Sequence, residues 1–147
     1  YADVNLAVNL AALAGTQEEY EYYYDLVFDR LDWLEERLST RRYLMGDTIT
    51  SPDIRLFVTL TRFDLVFYQK YLLNKKRLVD YPNLWNYAKD LFSNPAFGGN
   101  TDFNSMRLRF YYVDHTPFAD MPRLMPKGPD DSRWLEPNDR AEKFSKK

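Results

Sequence analysis

Few side chains in this sequence combine the residue types and spacing that catalysis requires. His115 is the one histidine, it follows Asp114, and Ser105 lies shortly before it. A hydrolytic triad could be drawn from these three residues, but the chain has no Gly-x-Ser-x-Gly nucleophile elbow. It also has no cysteine, which excludes a thiolate nucleophile and a zinc–thiolate site. We therefore predict no catalytic residue and no metal site in this chain, and a structural hydrogen bond for His115.

Two adjacent phenols, those of Tyr111 and Tyr112, are the remaining candidates for a binding role. A phenol can donate a hydrogen bond to an oxygen atom of a bound molecule. As bare sequence, two adjacent tyrosines are more often half-buried packing. The glycine pair Gly98-Gly99 lacks the preceding strand and following helix of a phosphate-binding loop, so it predicts a loop only.

The elements that must position these residues are helices, because glycine is scarce and long apolar segments recur at helical spacing. Residues 3–14 predict a first helix that Gly15 ends. Thr16 and Glu19 form a capping box that begins a second, long helix. One apolar stripe runs down that helix through Tyr20, Tyr24, Val27, Leu31, Leu34 and Leu38.

A second capping box, formed by Thr50 and Asp53, begins a third helix and is structural in role. Apolar residues cover nearly every side of this third helix, which is typical of a helix in the middle of a bundle. Arg62 and Asp64 interrupt this apolar helix, so they should be paired if they are buried.

The remainder of the chain divides into two further helices and an arm. Pro82 begins a fourth helix, residues 97–102 form a glycine-rich loop, and a fifth helix covers about 103–112. We expect a helical bundle over residues 1–116. Residues 117–147 should be an irregular, proline-rich arm that packs on the bundle and ends in disorder, with apolar anchors at Met121, Leu124, Trp134 and Leu135.

Composition narrows the possible functions and locations. The net charge is −2, which argues against a nucleic-acid-binding surface. No apolar run approaches the roughly 18–20 residues of a membrane span, and no signal peptide is recognisable at the start. We therefore expect a cytoplasmic protein with no nucleic-acid or membrane partner. The chain starts at Tyr1 rather than Met, which is consistent with a piece of a longer protein.

The run from Tyr43 to Phe57 resembles the capping-box helix in the C-terminal all-helical domain of glutathione transferases. More specific motifs occur in the order seen in the Xi class, the glutathionyl-hydroquinone reductases. They are Arg62-Phe63-Asp64, Tyr81-Pro82-Asn83-Leu84-Trp85, Tyr111-Tyr112, His115, Pro126-x-Gly128-Pro129 and Pro137-x-Asp139-Arg140.

The resemblance implies an N-terminal thioredoxin-like half, which binds glutathione as cosubstrate and carries the catalytic cysteine. In that family the helical half supplies the aromatic wall of the quinol pocket and much of the homodimer contact. It implies that Tyr111, Tyr112, Phe67, Tyr71 and Asn9 lie at the substrate pocket. Phe67 and Asn9 stand where the family has tyrosine, so two phenol donors are lost.

Two functional hypotheses follow from the sequence. In the first, the chain is the substrate-side domain of a glutathione-dependent thiol transferase and is not catalytic by itself. In the second, it is a non-catalytic module that keeps the helical scaffold for protein–protein contacts, because fold alone does not fix function. A stable proteolytic piece of the parent enzyme would be compatible with the first hypothesis.

Overall fold

The computed structural model describes residues 2–112 and 124–145. Within these residues the chain is helical and contains no β-strand, which confirms the predicted all-α fold. The seven α-helices of this described part are α1 Ala7–Ala12, α2 Gln17–Thr40, α3 Ser51–Arg62, α4 Pro82–Ser93, α5 Pro95–Gly98, α6 Phe103–Arg107 and α7 Arg140–Lys143.

Shorter helical turns extend several of these helices. The π-helical turn Ala2–Leu6 leads into α1, Phe63–Phe67 continues α3, and Leu108–Tyr112 continues α6. Two 3₁₀ turns, Leu78–Asp80 and Asp131–Leu135, precede α4 and α7. The predicted first and fifth helices are thus present, each with one π turn.

The predicted glycine-rich loop is partly wrong, because α5 occupies its beginning. Pro95 takes the first position of α5, and the Asn94 side chain accepts a hydrogen bond from the Ala96 N–H at 3.0 Å. Gly98 allows a close approach, since a Cβ there would lie 2.1 Å from the Phe92 carbonyl oxygen. These glycines therefore permit tight packing after α4.

An antiparallel hairpin of α1 and α2 forms one side of the bundle. The Thr16 hydroxyl accepts a hydrogen bond from the Glu19 N–H at 3.2 Å, as predicted for the start of α2. The predicted stripe is buried from Val27 to Leu38, whereas its first two tyrosines are only half-buried. The burial of this stripe against α1 and α4 supplies much of the apolar core.

The start of α3 is fixed by Asp53, whose carboxylate is fully buried. Asp53 accepts hydrogen bonds from the Thr50 N–H at 2.8 Å and from the Leu44 N–H at 2.9 Å. The Thr50 hydroxyl also donates to this carboxylate at 2.8 Å. The Tyr87 hydroxyl of α4 donates a fourth bond at 2.8 Å. The carboxylate thus joins the α2–α3 connection, α3 and α4.

The expectation that α3 is buried on all sides is wrong. Leu56, Phe57 and Leu60 are buried, but Ile54 is 54% exposed and Val58 is 48% exposed. The i, i+4 spacing places these two side chains together on one outward face. The described residues therefore leave an apolar strip of α3 uncovered.

Arg62 and Asp64 are satisfied by neutral groups. The Arg62 guanidinium donates to the Val58 carbonyl oxygen at 2.6 Å. The Asp64 carboxylate accepts from the N–H groups of Leu78 and Val79, at the start of the 3₁₀ turn before α4. Burial raises the pKa of the Asp64 carboxyl, and the two N–H bonds only partly oppose this.

The described part of the C-terminal arm lies on the bundle and contains two short helical pieces, which the sequence did not predict. Trp134 is buried as predicted, whereas Leu124 and Leu135 are exposed, so those two anchor predictions are wrong. Met121 lies outside the described residues, as do residues 146 and 147. The Trp134 ring packs against four aromatic rings, those of Phe57, Trp85, Phe92 and Phe103.

Buried cations complete the attachment of the arm. Arg107 of α6 makes two bonds to the Asp131 carboxylate, at 2.6 and 2.7 Å. Arg140 of α7 is fully buried and donates to the carbonyl oxygens of Leu38, Arg41 and Arg42 at the end of α2. A cation at a helix C-terminus satisfies its free carbonyls and interacts favourably with the helix dipole.

Candidate functional site

Two of the five predicted pocket residues lie in a row of aromatic side chains. Phe63 and Phe67 begin and end the π turn after α3, and Tyr71 follows beyond it, with successive ring centroids 6.3 and 5.4 Å apart. The Phe110 ring from the turn after α6 meets Tyr71 at 6.4 Å. Phe67 and Tyr71 are both buried, so their rings are not directly exposed to solvent.

Tyr111 lies directly beside this aromatic row and is half-buried. Its hydroxyl donates to the Leu65 carbonyl oxygen at 2.7 Å, and burial raises its pKa to about 12. The Lys70 ammonium bonds to the Phe110 carbonyl oxygen and lies 5.5 Å from the centre of the Tyr111 ring. The Tyr111 phenol is therefore protonated at neutral pH, and it donates its proton to the backbone carbonyl oxygen of Leu65.

Tyr112 and Asn9 are the predicted pocket residues that reach solvent. Tyr112 is 40% exposed. Asn9 lies on the exposed side of α1, and its side-chain amide donates to the Asn5 carbonyl oxygen at 3.0 Å. The structure thus divides the predicted set into a buried pair, one half-buried phenol and two surface residues on different helices.

Of the three residues from which a hydrolytic triad could be drawn, the structure describes only Ser105. His115 and Asp114 lie outside the described residues. Ser105 donates to the Asp102 carboxylate at 2.6 Å, and its N–H also bonds to Asp102, so it belongs to the cap of α6.

Among the residues that the structure describes, no group of His, Cys, Asp or Glu could hold a metal ion. No described helix is both long and apolar enough to cross a membrane.

A groove beside the exposed strip of α3 was not predicted by the sequence. Its volume is about 280 Å³, and it runs between α3 and the segment from α5 to α6. Ile54 and Val58 form one wall, and Phe97 and Met106 contribute to the other. The sequence could have signalled this groove only through the excess of apolar residues around α3.

Comparison with known proteins shows the family to which this helical structure belongs. Residues 17–90 match the family described as "Glutathione S-transferase, C-terminal domain". The chain belongs to this family of helical domains, as the capping-box helix and its Asp53 network suggest.

Relatives and solved structures narrow the assignment to the Xi class. The chain is 38% identical to the glutathionyl-hydroquinone reductase PcpF of Sphingobium chlorophenolicum, over 88% of this chain and 41% of that protein. It is 36% identical to the glutathionyl-hydroquinone reductase YqjG of Escherichia coli, over 76% and 34% respectively. The predicted resemblance to Xi-class enzymes is therefore confirmed.

Solved structures agree in fold over almost the whole chain. A glutathione transferase from Gordonia bronchialis has a TM-score of 0.90 and 43% identity, covering 99% of this chain and 45% of its own. The glutathione-bound structure of Escherichia coli YqjG gives 0.91 and 33%, covering 98% and 46%. The chain thus spans less than half the length of these relatives.

Proposed function

We propose that this chain is the substrate-side helical domain of a glutathione-dependent thiol transferase that reduces glutathionyl-hydroquinones. The observation that carries the proposal is the identity of more than one third with two relatives named glutathionyl-hydroquinone reductases. The reactive cysteine would lie in an N-terminal thioredoxin-like half, because this sequence has none.

In the proposed reaction, the thiolate of that cysteine attacks the sulfur of a glutathionyl-hydroquinone. A sulfur–sulfur bond forms, the carbon–sulfur bond to the ring breaks, and the ring carbon takes a proton to give the hydroquinone. A second glutathione then attacks the mixed disulfide, which releases oxidised glutathione and regenerates the thiol. Glutathione is thus both part of the substrate and the reductant.

The residues of this chain would bind and orient the quinol ring. Tyr112 is 40% exposed, so its phenol would donate to a quinol oxygen, while Phe67 and Tyr71 would supply aromatic packing for the pocket wall. Tyr111 would act as a rigid wall residue, since its proton is bound to Leu65. Asn9 would contribute a shorter polar group where the family has a tyrosine.

Glutathione itself would be held mainly by the N-terminal half. The described residues form no strand, so they offer no strand edge with which a peptide such as glutathione could pair. The exposed strip of α3, with Ile54 and Val58, and the groove beside it would receive that half. We further propose that the complete protein is a homodimer in the cytoplasm.

The alternative is a non-catalytic helical module that binds another protein. The loss of the phenol at position 9 favours it, because a pocket donor to a buried partner contributes about 1–3 kcal/mol. The same α3 strip would then be the contact surface for a separate protein.

The experiment is turnover by the complete protein encoded by the gene, with a glutathionyl-hydroquinone and glutathione, measured as hydroquinone released. We expect turnover, a loss in the Tyr112→Phe variant, a gain in Asn9→Tyr, and no change in the surface control Tyr22→Phe. A complete protein that has the cysteine but shows no turnover would refute the proposal and favour the non-catalytic module.

A further inference from the structure

A cavity of about 330 Å³ lies between the C-terminal arm and the bundle. The end of α3 and its π turn form one wall, which includes Asp64, and residues 128–134 of the arm contribute to another. The volume is at the lower end of the roughly 300–1,000 Å³ that is typical of small-molecule sites. Tyr112 and Asn9 do not line this cavity, so it is separate from the proposed quinol pocket.

Aromatic rings form the apolar part of the lining. Trp85, Phe103 and Trp134 line the cavity, and both tryptophans are buried. The ring centroids of Trp85 and Trp134 are 4.9 Å apart, and those of Phe103 and Trp134 are 5.7 Å apart. Because each ring is held by its neighbours, a flat aromatic ligand would meet a wall that needs no rearrangement.

Oxygen atoms that can accept hydrogen bonds form the polar part of the lining. The Oδ1 atom of Asp64 accepts from the Leu78 N–H, but Oδ2 receives only the Val79 N–H, at 3.4 Å. That second bond is long, so the Asp64 carboxylate has capacity for a further donor. The Gln69 amide nitrogen donates to the carbonyl oxygens of Asp64 and Gly128, whereas its Oε1 atom accepts no hydrogen bond from a described residue.

The other charges around the cavity are already balanced. The remaining charged side chains of the described lining each have a partner: Arg77 with Asp80, Arg133 with Glu136, Asp131 with Arg107, and Asp130 with the Ser132 N–H. No unpaired cation of the described lining is therefore available to hold an anion. An ammonium ligand would lose its hydration close to two guanidinium groups, which opposes its binding. A neutral ligand that donates a hydrogen bond suits this lining best.

We propose that this cavity binds a phenol, a neutral aromatic ring whose hydroxyl donates to the Asp64 carboxylate. The ring would pack against Trp85 and Trp134, and a second hydroxyl would have the Gln69 oxygen as its acceptor. Such a ligand contacts both the end of α3 and the arm, so it would also stabilise the docked arm. The proposal goes beyond the proposed function and requires neither a thiol nor glutathione.

The test uses the tryptophans of the chain as reporters. There are three, Trp33, Trp85 and Trp134, and Trp33 does not line the cavity. The chain is labelled with fluorotryptophan and titrated with phenol and, separately, with methoxybenzene, which has a similar ring but no hydroxyl proton. Fluorine NMR follows the three signals, and Trp33→Phe identifies the signal of Trp33.

We expect phenol to shift the Trp85 and Trp134 signals to a saturating value and to leave the Trp33 signal in place. Phenol should bind about ten-fold or more tightly than methoxybenzene, because a hydrogen bond to a carboxylate is lost with the hydroxyl proton. Equal affinities of the two ligands, or equal shifts of all three signals, would overturn the proposal. Tighter binding of benzylammonium than of phenol would overturn it in favour of a cation site.

A cavity-filling substitution provides a second test. Val79→Phe places a larger side chain in the lining and should weaken phenol binding about ten-fold or more. The matched control is Val58→Phe on the exposed strip of α3, which should leave binding unchanged. Unchanged binding in a folded Val79→Phe variant would contradict the proposed site. If Val79→Phe does not fold, the comparison of phenol with methoxybenzene in the unaltered chain still decides.

Discussion

At the scale of single residues, Asp53 shows how this sequence secures a buried charge. A carboxylate removed from water is costly unless hydrogen bonds replace its hydration. Asp53 receives four hydrogen bonds, from two backbone N–H groups and two hydroxyls. Burial and the Asp53 charge together raise the pKa of Tyr87 well above its ordinary value, so this phenol remains a donor.

Tyr87→Phe should lower the free energy of unfolding by about 1–3 kcal/mol, because it removes one donor from a buried carboxylate while keeping the ring. Urea unfolding measures the change. Tyr22→Phe, which alters an exposed phenol, should change stability by less than about 0.5 kcal/mol. Equal effects of the two substitutions would show that the fourth hydrogen bond is dispensable.

Asp64 should give the protein a distinctive pH dependence. Its folded-state pKa is raised, so its stabilising contribution is fully present below the unfolded value near 3.8 and is lost as pH rises through the raised pKa. Asn at this position does not titrate and keeps one acceptor oxygen. Asp64→Asn should therefore gain stability relative to the wild type as the pH rises from about 4 to 7, measured by urea unfolding.

Asp80→Asn provides a control of opposite sign. The hydrogen bond from the Arg77 side chain lowers the pKa of Asp80, so the contribution of Asp80 is present above its unfolded pKa and is lost as pH falls. Asp80→Asn should therefore lose stability relative to the wild type as the pH rises towards 3.8, a range below the one in which Asp64→Asn gains it. If both variants shifted in the same direction, the assignment of the Asp64 pKa would be wrong.

The sequence predicted part of this residue-scale chemistry. Thr50 and Asp53 were identifiable because a capping box is a local pattern of fixed spacing. Tyr87 could not be identified as a partner, since it lies 34 residues from Asp53 and only the packing of α4 brings it there. For the same reason Trp134 could not be distinguished from its exposed neighbour Leu135 by residue type alone.

At the scale of elements, periodicity predicted which segments are helical but not which faces are covered. The stripe from Val27 to Leu38 is buried because a single apolar row has one possible orientation in a bundle. α3 has apolar residues on several sides, so its sequence could not show that Ile54 and Val58 face outward. The short helices of the arm were missed because neither reaches the length at which periodicity can be recognised.

Arg140 should be the residue on which docking of the arm depends most. Arg140→Met removes a charged donor from three carbonyl oxygens at the end of α2, so we expect a loss of about 3 kcal/mol or more in unfolding free energy. Arg140→Lys should recover only part of this, because an ammonium cannot reproduce the planar fork of guanidinium.

Thermal and urea unfolding would measure these changes, with Arg133→Met as the control. Arg133 forms a largely exposed ion pair with Glu136, which should contribute no more than about 1 kcal/mol. A small effect of Arg140→Met would contradict the view that the arm is part of the folded unit.

At the scale of the whole molecule, the described residues leave two apolar surfaces uncovered. One is the strip of α3 at Ile54 and Val58, and the other is a groove of about 420 Å³ beside the C-terminal half of α2, lined in part by Trp33, Leu34 and Met45. Contiguous exposed apolar surface commonly marks an interaction site.

Charged substitutions on the α3 strip should separate stability from function. Ile54→Asp and Val58→Asp should change the unfolding free energy of this chain by less than about 1 kcal/mol, because both side chains are already half in water. In the complete protein the same changes should reduce hydroquinone release several-fold by weakening contact between the halves. Leu124→Asp, at an exposed position of the arm, is the control and should alter neither measurement.

The bonds of Arg140 also constrain the order of events during protein synthesis. Its acceptors at Leu38, Arg41 and Arg42 are 98 to 102 residues earlier in the chain. These carbonyl oxygens cannot gain their donor until residue 140 has left the ribosome, although the α1–α2 hairpin emerges much sooner. At roughly 5–20 residues per second, the end of α2 remains open for several seconds in each nascent chain. Chaperones that bind unfinished chains have that interval in which to act.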